Sequence, residues 1–196
     1  MKKEIEYFIL ISLPDRIDDY VKSLKDFCKR NIGSFYSATS RSHISFGKFI
    51  DEEDDNLGMS EIMQLYLKNI QNAIALIPSC DLSIDGFNYF THGTKFRTIY
   101  VVIKLDDNVI GWFDKIRNRL LIDRNITPHI TIARKIPTND FDILWPHFRN
   151  LTFKESFKPA SLTILTREFS KQYIPYQKFG EIPFDQSDNS ILKTTM

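Results

Sequence analysis

The chain has 196 residues, and its 26 Lys and Arg residues almost balance 25 Asp and Glu residues, for a formal net charge of +1. The length suffices for one domain with a sizeable core, and the charge excludes a general electrostatic attraction to long nucleic acids. An anionic ligand must therefore be bound by a local cluster, which favours a small or terminal phosphate over a duplex.

The two cysteines, Cys28 and Cys80, match neither a disulfide framework nor a metal-binding spacing. We expect both to be buried thiols, as is typical of a protein in a reducing compartment. The apolar run at 7–13 is interrupted upstream by Glu4 and Glu6, and no small-residue cleavage site follows it. It predicts a buried strand, and with no apolar run near the roughly 20 residues of a membrane helix, a cytoplasmic location is expected.

The first half of the chain predicts a strand at 7–13, a helix at 15–30, a strand from His43, a helix at 60–77 and a strand near 80–90. In the first helix, apolar residues recur at helical spacing. Acidic side chains near its start and basic ones near its end complement the helix dipole. Gly33 is suited to end this helix.

The second half predicts the same order. It has a strand at 98–105, a helix that is capped by Asp106 or Asp107 and runs to about Leu120, a strand from His129, a helix at 138–149 and a strand near 158–166. The halves, about 5–91 and 96–170, therefore indicate an internal duplication. We predict an α+β fold in a single two-lobed domain over 1–184, with β-α-β-α-β units related by pseudo-two-fold symmetry and antiparallel sheets lining a central cleft. Segment 172–184 predicts an edge hairpin, and 185–196 a polar tail.

An eight-residue stretch occurs once in each half, as His43-Ile44-Ser45-Phe46-Gly47-Lys48-Phe49-Ile50 and as His129-Ile130-Thr131-Ile132-Ala133-Arg134-Lys135-Ile136. The copies agree in chemistry at every position but the seventh. Each therefore has a histidine on a predicted strand, a hydroxyl two residues later and a cation at the sixth position.

This arrangement suits acid–base chemistry on a phosphodiester. Residues i and i+2 of a strand share a face, so His43 lies beside Ser45, and His129 beside Thr131. If the two strands are adjacent, both pairs line one cleft. One imidazole can then take a proton from water while the other protonates the leaving oxygen, and the hydroxyls can donate to non-bridging oxygens. No metal or other cofactor is required, and none is expected.

A His-x-Ser/Thr tripeptide alone is weak evidence, because His92-Gly93-Thr94 also matches. We expect His92 to be an ordinary loop histidine and His147 a packing or surface residue on a helix. Two alternatives remain for the repeated stretch. Duplication could have preserved two strands for packing alone, or the histidines could bind a metal, although no carboxylate shares their spacing and most zinc sites need three or four protein ligands.

The cations at the sixth position, Lys48 and Arg134, lie five residues after their histidines, so strict alternation places them on the opposite face. A bulge or the strand end could return either of them to the cleft. We favour Arg134 as a phosphate ligand, because arginine binds phosphate bidentately and lysine does not. The weaker candidates are expected to be surface charges: Arg41, Arg97 and Arg124.

The segments His43-Ile44-Ser45-Phe46 and Thr127-Pro128-His129-Ile130-Thr131-Ile132-Ala133-Arg134 resemble the two signature motifs of the two-histidine (2H) phosphoesterase superfamily. The similarity is greatest to its bacterial 2′-5′ RNA ligase-like branch, the RNA cyclic phosphodiesterases. In the second motif the Pro before the histidine and the later Arg both fit. The first motif departs from the pattern, with Ser45 where Thr is usual and Phe46 where Leu is usual. Element order extends the resemblance over most of 5–180.

The resemblance implies a two-lobed fold with both histidines in a central cleft, and metal-independent hydrolysis of 2′,3′-cyclic phosphates to monoesters, with weak or incidental ligase activity. It assigns His43 and His129 as acid and base, and Ser45 and Thr131 as phosphate-binding hydroxyls. The implied partner is a cyclic nucleotide or an RNA 3′ end, with no duplex and no membrane, and we expect a monomer.

Family members often present a tyrosine to the substrate from their C-terminal part, which makes Tyr173 and Tyr176 candidates for a substrate contact. Packing is the simpler role for each. Two other functions remain open. A non-catalytic nucleotide or RNA-end binder would use the same cleft without turnover, and a 2′-5′ RNA ligase would join RNA ends.

Overall fold

The computed structural model describes residues 2–54, 58–122, 126–171 and 173–185. Arg124 and the expected tail beyond Asp185 lie outside these residues. The elements are, in chain order, β1 (Lys2–Ser12), α1 (Asp15–Ile32), β2 (His43–Asp54), α2 (Glu61–Ile74), β3 (Leu82–His92), β4 (Phe96–Ile103), α3 (Asp107–Arg119), β5 (His129–Pro137), α4 (Thr138–Phe148), β6 (Lys154–Phe157), β7 (Ser161–Glu168) and β8 (Gln177–Pro183). No helix among the described residues is long and apolar enough to cross a membrane.

The strands form one sheet in the order β6-β3-β4-β5-β2-β1-β7-β8, with antiparallel neighbours throughout. The predicted α+β fold with antiparallel strands is therefore confirmed. The repeats exchange strands, however: β3 of the first repeat pairs with β4, and β7 of the second repeat pairs with β1. Each half of the sheet thus contains strands from both repeats, and the halves meet where β2 lies beside β5.

The predicted elements recur with small shifts at their ends. Asp106 caps α3, because its carboxylate accepts a hydrogen bond from the Val109 amide at 2.9 Å. The short strand β6 was not predicted, and it pairs with β3 at one edge of the sheet. At the other edge, segment 172–184 contributes the strand β8, which pairs with β7 instead of forming a hairpin within the segment. Asp185 donates its amide to the Ile77 carbonyl.

The core lies between the sheet and the helices. Alternate residues of β2 and β5, including Ile44 and Ile130, are fully buried in the same cluster as the apolar faces of α1, α3 and α4. Burial of each such side chain contributes on the order of 1.5–3 kcal/mol. This packing fixes the opposite face of β2 and β5 as the one that faces away from the helices.

Candidate active site

The two repeated stretches form neighbouring strands at the centre of the sheet. Ile44 of β2 pairs directly with Ile130 of β5 in antiparallel orientation. Both isoleucines are fully buried in the core. The residues on either side of each isoleucine must therefore point to the other face of the sheet.

The four predicted residues occupy that face as two cross-strand pairs. Antiparallel register about the isoleucine pair sets His43 opposite Thr131, and Ser45 opposite His129. All four are partly exposed. Directly opposite residues have Cβ atoms about 4.5–5.5 Å apart, and diagonal ones about 7–8 Å. The two imidazoles lie at diagonal corners and the two hydroxyls at the other corners, so a group placed centrally reaches all four.

Both histidines are held in the same way. His43 Nδ1 lies 2.8 Å from the Arg41 carbonyl, and His129 Nδ1 lies 2.7 Å from the Thr127 carbonyl. Because a carbonyl oxygen can only accept, Nδ1 carries the proton of each neutral ring. Each Nε2 is therefore left with a lone pair, as a general base requires, or with a proton to donate once the ring is charged.

Aromatic rings pack against both imidazoles. Phe8 contacts His43 edge to face, with centroids 5.2 Å apart. Phe90 and Tyr100 contact His129 in the same manner at 5.0 and 5.3 Å. These rings exclude water from one side of each imidazole, and so favour its uncharged form.

Burial lowers the pKa of His43 to about 4, and the positive charges of Lys25 and Lys48, with that of His129 whenever its ring is protonated, act in the same direction. Burial also lowers the pKa of His129, and the Arg134 guanidinium adds to that effect. In each case the hydrogen bond to the backbone carbonyl opposes the shift. Both imidazoles are consequently neutral at pH 7 when the cleft holds no anion.

A β-bulge interrupts the alternation of β2. Ser45 and Gly47 face consecutive residues of β1, so Phe46 is an extra residue in the strand. One extra residue reverses which side chains point to which face. Lys48 therefore lies on the histidine face, where strict alternation predicted the opposite.

The second motif strand has a bulge at the equivalent position. Thr131 and Ala133 face consecutive residues of β4, which makes Ile132 the extra residue. Arg134 is returned to the histidine face by the same geometry. The bulge that the sequence left open as an alternative is thus present in both copies.

Each bulge is covered by the loop that precedes the other motif strand. Ser37, before β2, is buried, donates to the Ile132 carbonyl and accepts from the Arg134 amide, both at 3.0 Å. Ile122, before β5, packs on Gly47 so closely that an added Cβ would lie 2.8 Å from its Cδ1. The two loops thereby stabilise the bulges that direct the cations.

Lys48 is paired with a carboxylate within the protein. It lies 3.3 Å from the buried carboxylate of Glu6, which also accepts from Arg167 at 2.9 Å and from the Tyr176 hydroxyl. Although burial would raise it, the pKa of Glu6 is lowered by hydrogen bonds from Tyr176 and Arg167 and by the charge of Lys48. The Lys48 ammonium also lies over the Phe8 ring, 4.9 Å from its centroid. The Lys48 ammonium is therefore already bound by groups of the protein.

Arg134 is in a different environment. Its guanidinium lies 5.6 Å from the centroid of the exposed Tyr36 ring. No carboxylate forms an ion pair with it in the described part of the chain. It borders a groove of about 530 Å³ lined by Ser34, Phe35, Tyr36, Arg134, Lys135, Ile136, Pro137 and Asp140. Arg134 is thus the motif cation that remains available to an anionic ligand.

The other histidines lie elsewhere. His92 is the last residue of β3 rather than a loop residue, because the strand continues until it pairs with Phe96. Its Nε2 lies 2.9 Å from the Thr98 hydroxyl. His147 stacks on Phe27 with centroids 4.1 Å apart, in the packing role expected of it. Among the described residues no group of three His, Cys, Asp or Glu side chains could hold a metal ion.

The weaker candidates have other contacts. Arg41 pairs with carboxylates of α1, and Arg97 donates to nearby backbone carbonyls. Tyr173 is 82 % exposed, whereas Tyr176 packs beside Phe8 within the Glu6 network. Both cysteines are buried free thiols, as expected.

Sequence reasoning missed most of the residues around the motif side chains. The largest omission is the charged network of Glu6 and Arg167. An acidic residue inside an apolar strand was the available signal for Glu6, since such residues are rarely buried unless paired. The others carried no local signal: Phe8, Ser37, Phe90 and Tyr100.

Comparison with known proteins agrees with this architecture. The model of the 2′-5′ RNA ligase superfamily matches residues 14–170. The protein TT0787 of Thermus thermophilus superposes with a TM-score of 0.63 at 14% identity, covering 93% of this chain and 100% of that one. E. coli LigT complexed with ATP gives 0.57 at 14% identity, covering 95% and 100%. LigT complexed with 3′-AMP gives 0.57 at 12% identity, covering 94% and 99%. At these identities the likeness shows a shared fold. Comparison with curated protein sequences found no match.

Proposed function

The chain belongs to the 2′-5′ RNA ligase superfamily, a family of two-histidine phosphoesterases, and we propose that it hydrolyses cyclic phosphodiesters by acid–base catalysis between His43 and His129. The substrate class is an RNA or nucleotide 2′,3′-cyclic phosphate, and the product is a phosphomonoester. The observation that carries the proposal is the quartet in which His43 lies opposite Thr131, and His129 opposite Ser45.

The reaction needs one proton removed and one supplied. A neutral imidazole takes a proton from water through Nε2 as the water oxygen attacks phosphorus. The other imidazole, protonated, gives the proton on its Nε2 to the ribose oxygen as the P–O bond breaks. Both rings carry a proton on Nδ1 that is bonded to a carbonyl, so both Nε2 atoms are free for these transfers.

We assign His43 as the base and His129 as the acid. Burial lowers the pKa of His43 to about 4, the larger of the two shifts, so this ring stays neutral over the wider pH range. Where the environment gives two titratable groups different pKa values, one group is suited to act as the base and the other as the acid. The assignment makes the attack occur from the His43 side of the cleft.

The hydroxyls and Arg134 act on the phosphate oxygens. Ser45 and Thr131 can each donate a hydrogen bond to a non-bridging oxygen, where negative charge increases as water adds. The Arg134 guanidinium can bind such an oxygen in a charge-assisted hydrogen bond. E. coli LigT has been crystallised with ATP, with 3′-AMP and with phosphate, which supports a nucleotide-like ligand for this cleft.

The test is hydrolysis of the four 2′,3′-cyclic mononucleotides with and without EDTA, with identification of the monoester formed. Turnover that survives EDTA and is lost in both His43→Ala and His129→Ala supports the proposal. Full turnover in both variants contradicts it. Binding of cyclic nucleotides by calorimetry without any turnover would instead support a binding protein, and ATP-independent joining of RNA ends would support a ligase.

A further inference from the structure

A cation from each half of the chain is bonded to the backbone just before each histidine. Lys25 of α1 donates from Nζ to the Ser40 carbonyl at 2.6 Å, and Arg117 of α3 donates from Nη2 to the Ile126 carbonyl at 2.8 Å. Each cation lies ten residues after the first residue of its helix. The two contacts are therefore equivalent under the pseudo-two-fold symmetry.

These contacts adjoin the hydrogen bonds that hold the imidazoles. Ser40 and Ile126 each lie three residues before a histidine. The next residues along, Arg41 and Thr127, supply the carbonyls that accept from the histidine Nδ1 atoms. In both halves, one peptide carbonyl is bound by a helix cation and the following carbonyl holds the ring. A rotation of the first peptide would move the second, and the imidazole with it.

Both cations are largely removed from solvent. Lys25 is only 3% exposed, on the face of α1 that is otherwise apolar. Burial of an ammonium costs more free energy than burial of an apolar side chain of similar size, and here the nearby charge of Asp18 offsets part of that cost. The Arg117 side chain is 13% exposed and pairs with Asp114 at 2.7 Å. Such residues are better explained by what they bind than by their contribution to the core.

The segment before His43 has a second attachment to α1. Asp18 accepts from the Ser42 amide at 3.0 Å and from Arg41 Nε at 3.1 Å. Together, Asp18 and Lys25 bind the three residues immediately before His43, which are Ser40, Arg41 and Ser42. The backbone there has little freedom to rotate independently of the helix.

We propose that Lys25 and Arg117 are positioning residues, each of which fixes the backbone carbonyl that orients one histidine and so directs its Nε2 into the cleft. The catalytic consequence rests on the function proposed above, whereas the orientation of the rings does not. Both residues act through the backbone and make no contact with the substrate.

The kinetic test compares Lys25→Met and Arg117→Met with variants of exposed cations on the same helices, Lys22→Met and Lys115→Met. We expect kcat to fall roughly tenfold or more in the first pair with KM within about twofold, because misoriented groups weaken the chemical step more than binding. Lys25→Arg and Arg117→Lys, in which each half receives the other half's cation, should recover most of the activity. The control variants should match the wild type.

The spectroscopic test needs no activity. Ring ¹⁵N spectra at pH 7 should show the Nδ1–H tautomer for both histidines in the wild type and the controls. In Lys25→Met the His43 ring should redistribute its proton between the two nitrogens while His129 is unchanged, and Arg117→Met should give the converse. The unaffected ring shows that the variant is folded.

A single Nδ1–H tautomer in both Met variants, with kcat equal to that of the controls, would overturn the proposal. So would an equal disturbance of both rings in either variant, which indicates general destabilisation. If the wild type hydrolyses no cyclic nucleotide, the proposed function fails, and the tautomer spectra still decide whether Lys25 and Arg117 orient the rings.

Discussion

Turnover should depend on pH in a way set by the two buried imidazoles. The reaction needs one neutral ring and one protonated ring, and kcat/KM reports their pKa values in the free enzyme. Burial lowers the pKa of His43 to about 4 and lowers that of His129 from its usual value near 6.5. A lowered pKa means that imidazolium forms only at more acidic pH. The form with one proton is therefore most abundant below pH 6.5, and kcat/KM should fall about tenfold per pH unit above it.

Bound substrate should move the profile in the opposite direction. A phosphodiester carries one negative charge, and about 4 Å from an imidazolium it contributes roughly 4 kcal/mol at an effective dielectric constant near 20. That energy corresponds to a rise in pKa of about 3 units for the ring that stays protonated. Because solvent weakens the interaction in an open cleft, we expect the pKa of that ring to rise by about 2 units. The optimum of kcat should thus lie nearer neutral pH than that of kcat/KM.

The assay is hydrolysis of one 2′,3′-cyclic nucleotide from pH 4 to 9, with kcat and KM separated at each pH. Circular dichroism at each pH shows that the protein stays folded over that range. Binding of sulfate, an anion that does not titrate near pH 7, measured by calorimetry in buffers of different ionisation enthalpy should show net proton uptake at pH 7. An optimum of kcat/KM above pH 7, or coincident profiles for kcat and kcat/KM, would refute the reasoning.

Three further sets of variants test the assigned roles. His43→Ala and His129→Ala should each lower kcat on cyclic nucleotides by about 10²–10⁴-fold. A phosphodiester with a p-nitrophenolate leaving group, which needs no acid, should restore turnover in His129→Ala only; restoration in His43→Ala would reverse the assignment. Ser37→Ala removes two buried hydrogen bonds and should lower the free energy of unfolding by about 1–3 kcal/mol in urea titrations, unlike an exposed Ser→Ala control. Arg134→Gln should raise KM about tenfold, whereas Lys48→Gln should leave it within about threefold; equal effects would contradict the difference in their environments.

The elements could be predicted from local pattern, but most of their partners could not. Helical spacing of Ile17, Val21 and Leu24 predicts α1, and β-branched residues predict β4, because these signals lie within a few residues of one another. The pairing of β3 with β4 is a local hairpin across Gly93, Thr94 and Lys95, whereas β7 pairs with β1 across most of the length of the chain. No short stretch of sequence encodes the pairing of β7 with β1, and the same holds for β6, whose four residues find their conformation only against β3.

The quartet could be predicted because period two and duplication are both visible in the sequence. The bulges could not be located, because Phe46 and Ile132 are ordinary strand residues in an apolar stretch. Their position is fixed from outside, by Ser37 on one strand and by the close approach to Gly47 on the other. The interval of five residues between histidine and cation in both copies was the available indication, since an odd interval places two functional side chains together only across a bulge.

Duplication produced two chemically similar motifs, and their surroundings make them unequal. Glu6 binds the cation of the first motif, Lys48, and no carboxylate among the described residues binds Arg134 of the second. The motif cation without a carboxylate partner therefore lies on the His129 side, where its guanidinium is available to a phosphate in the cleft. Under the function proposed above, His43, whose pKa is lowered to about 4, activates water. A symmetric pair of motifs would bind a phosphodiester equally well in two directions. Pairing one motif cation and leaving the other available distinguishes the two directions, as the proposed division of labour between a base and an acid requires.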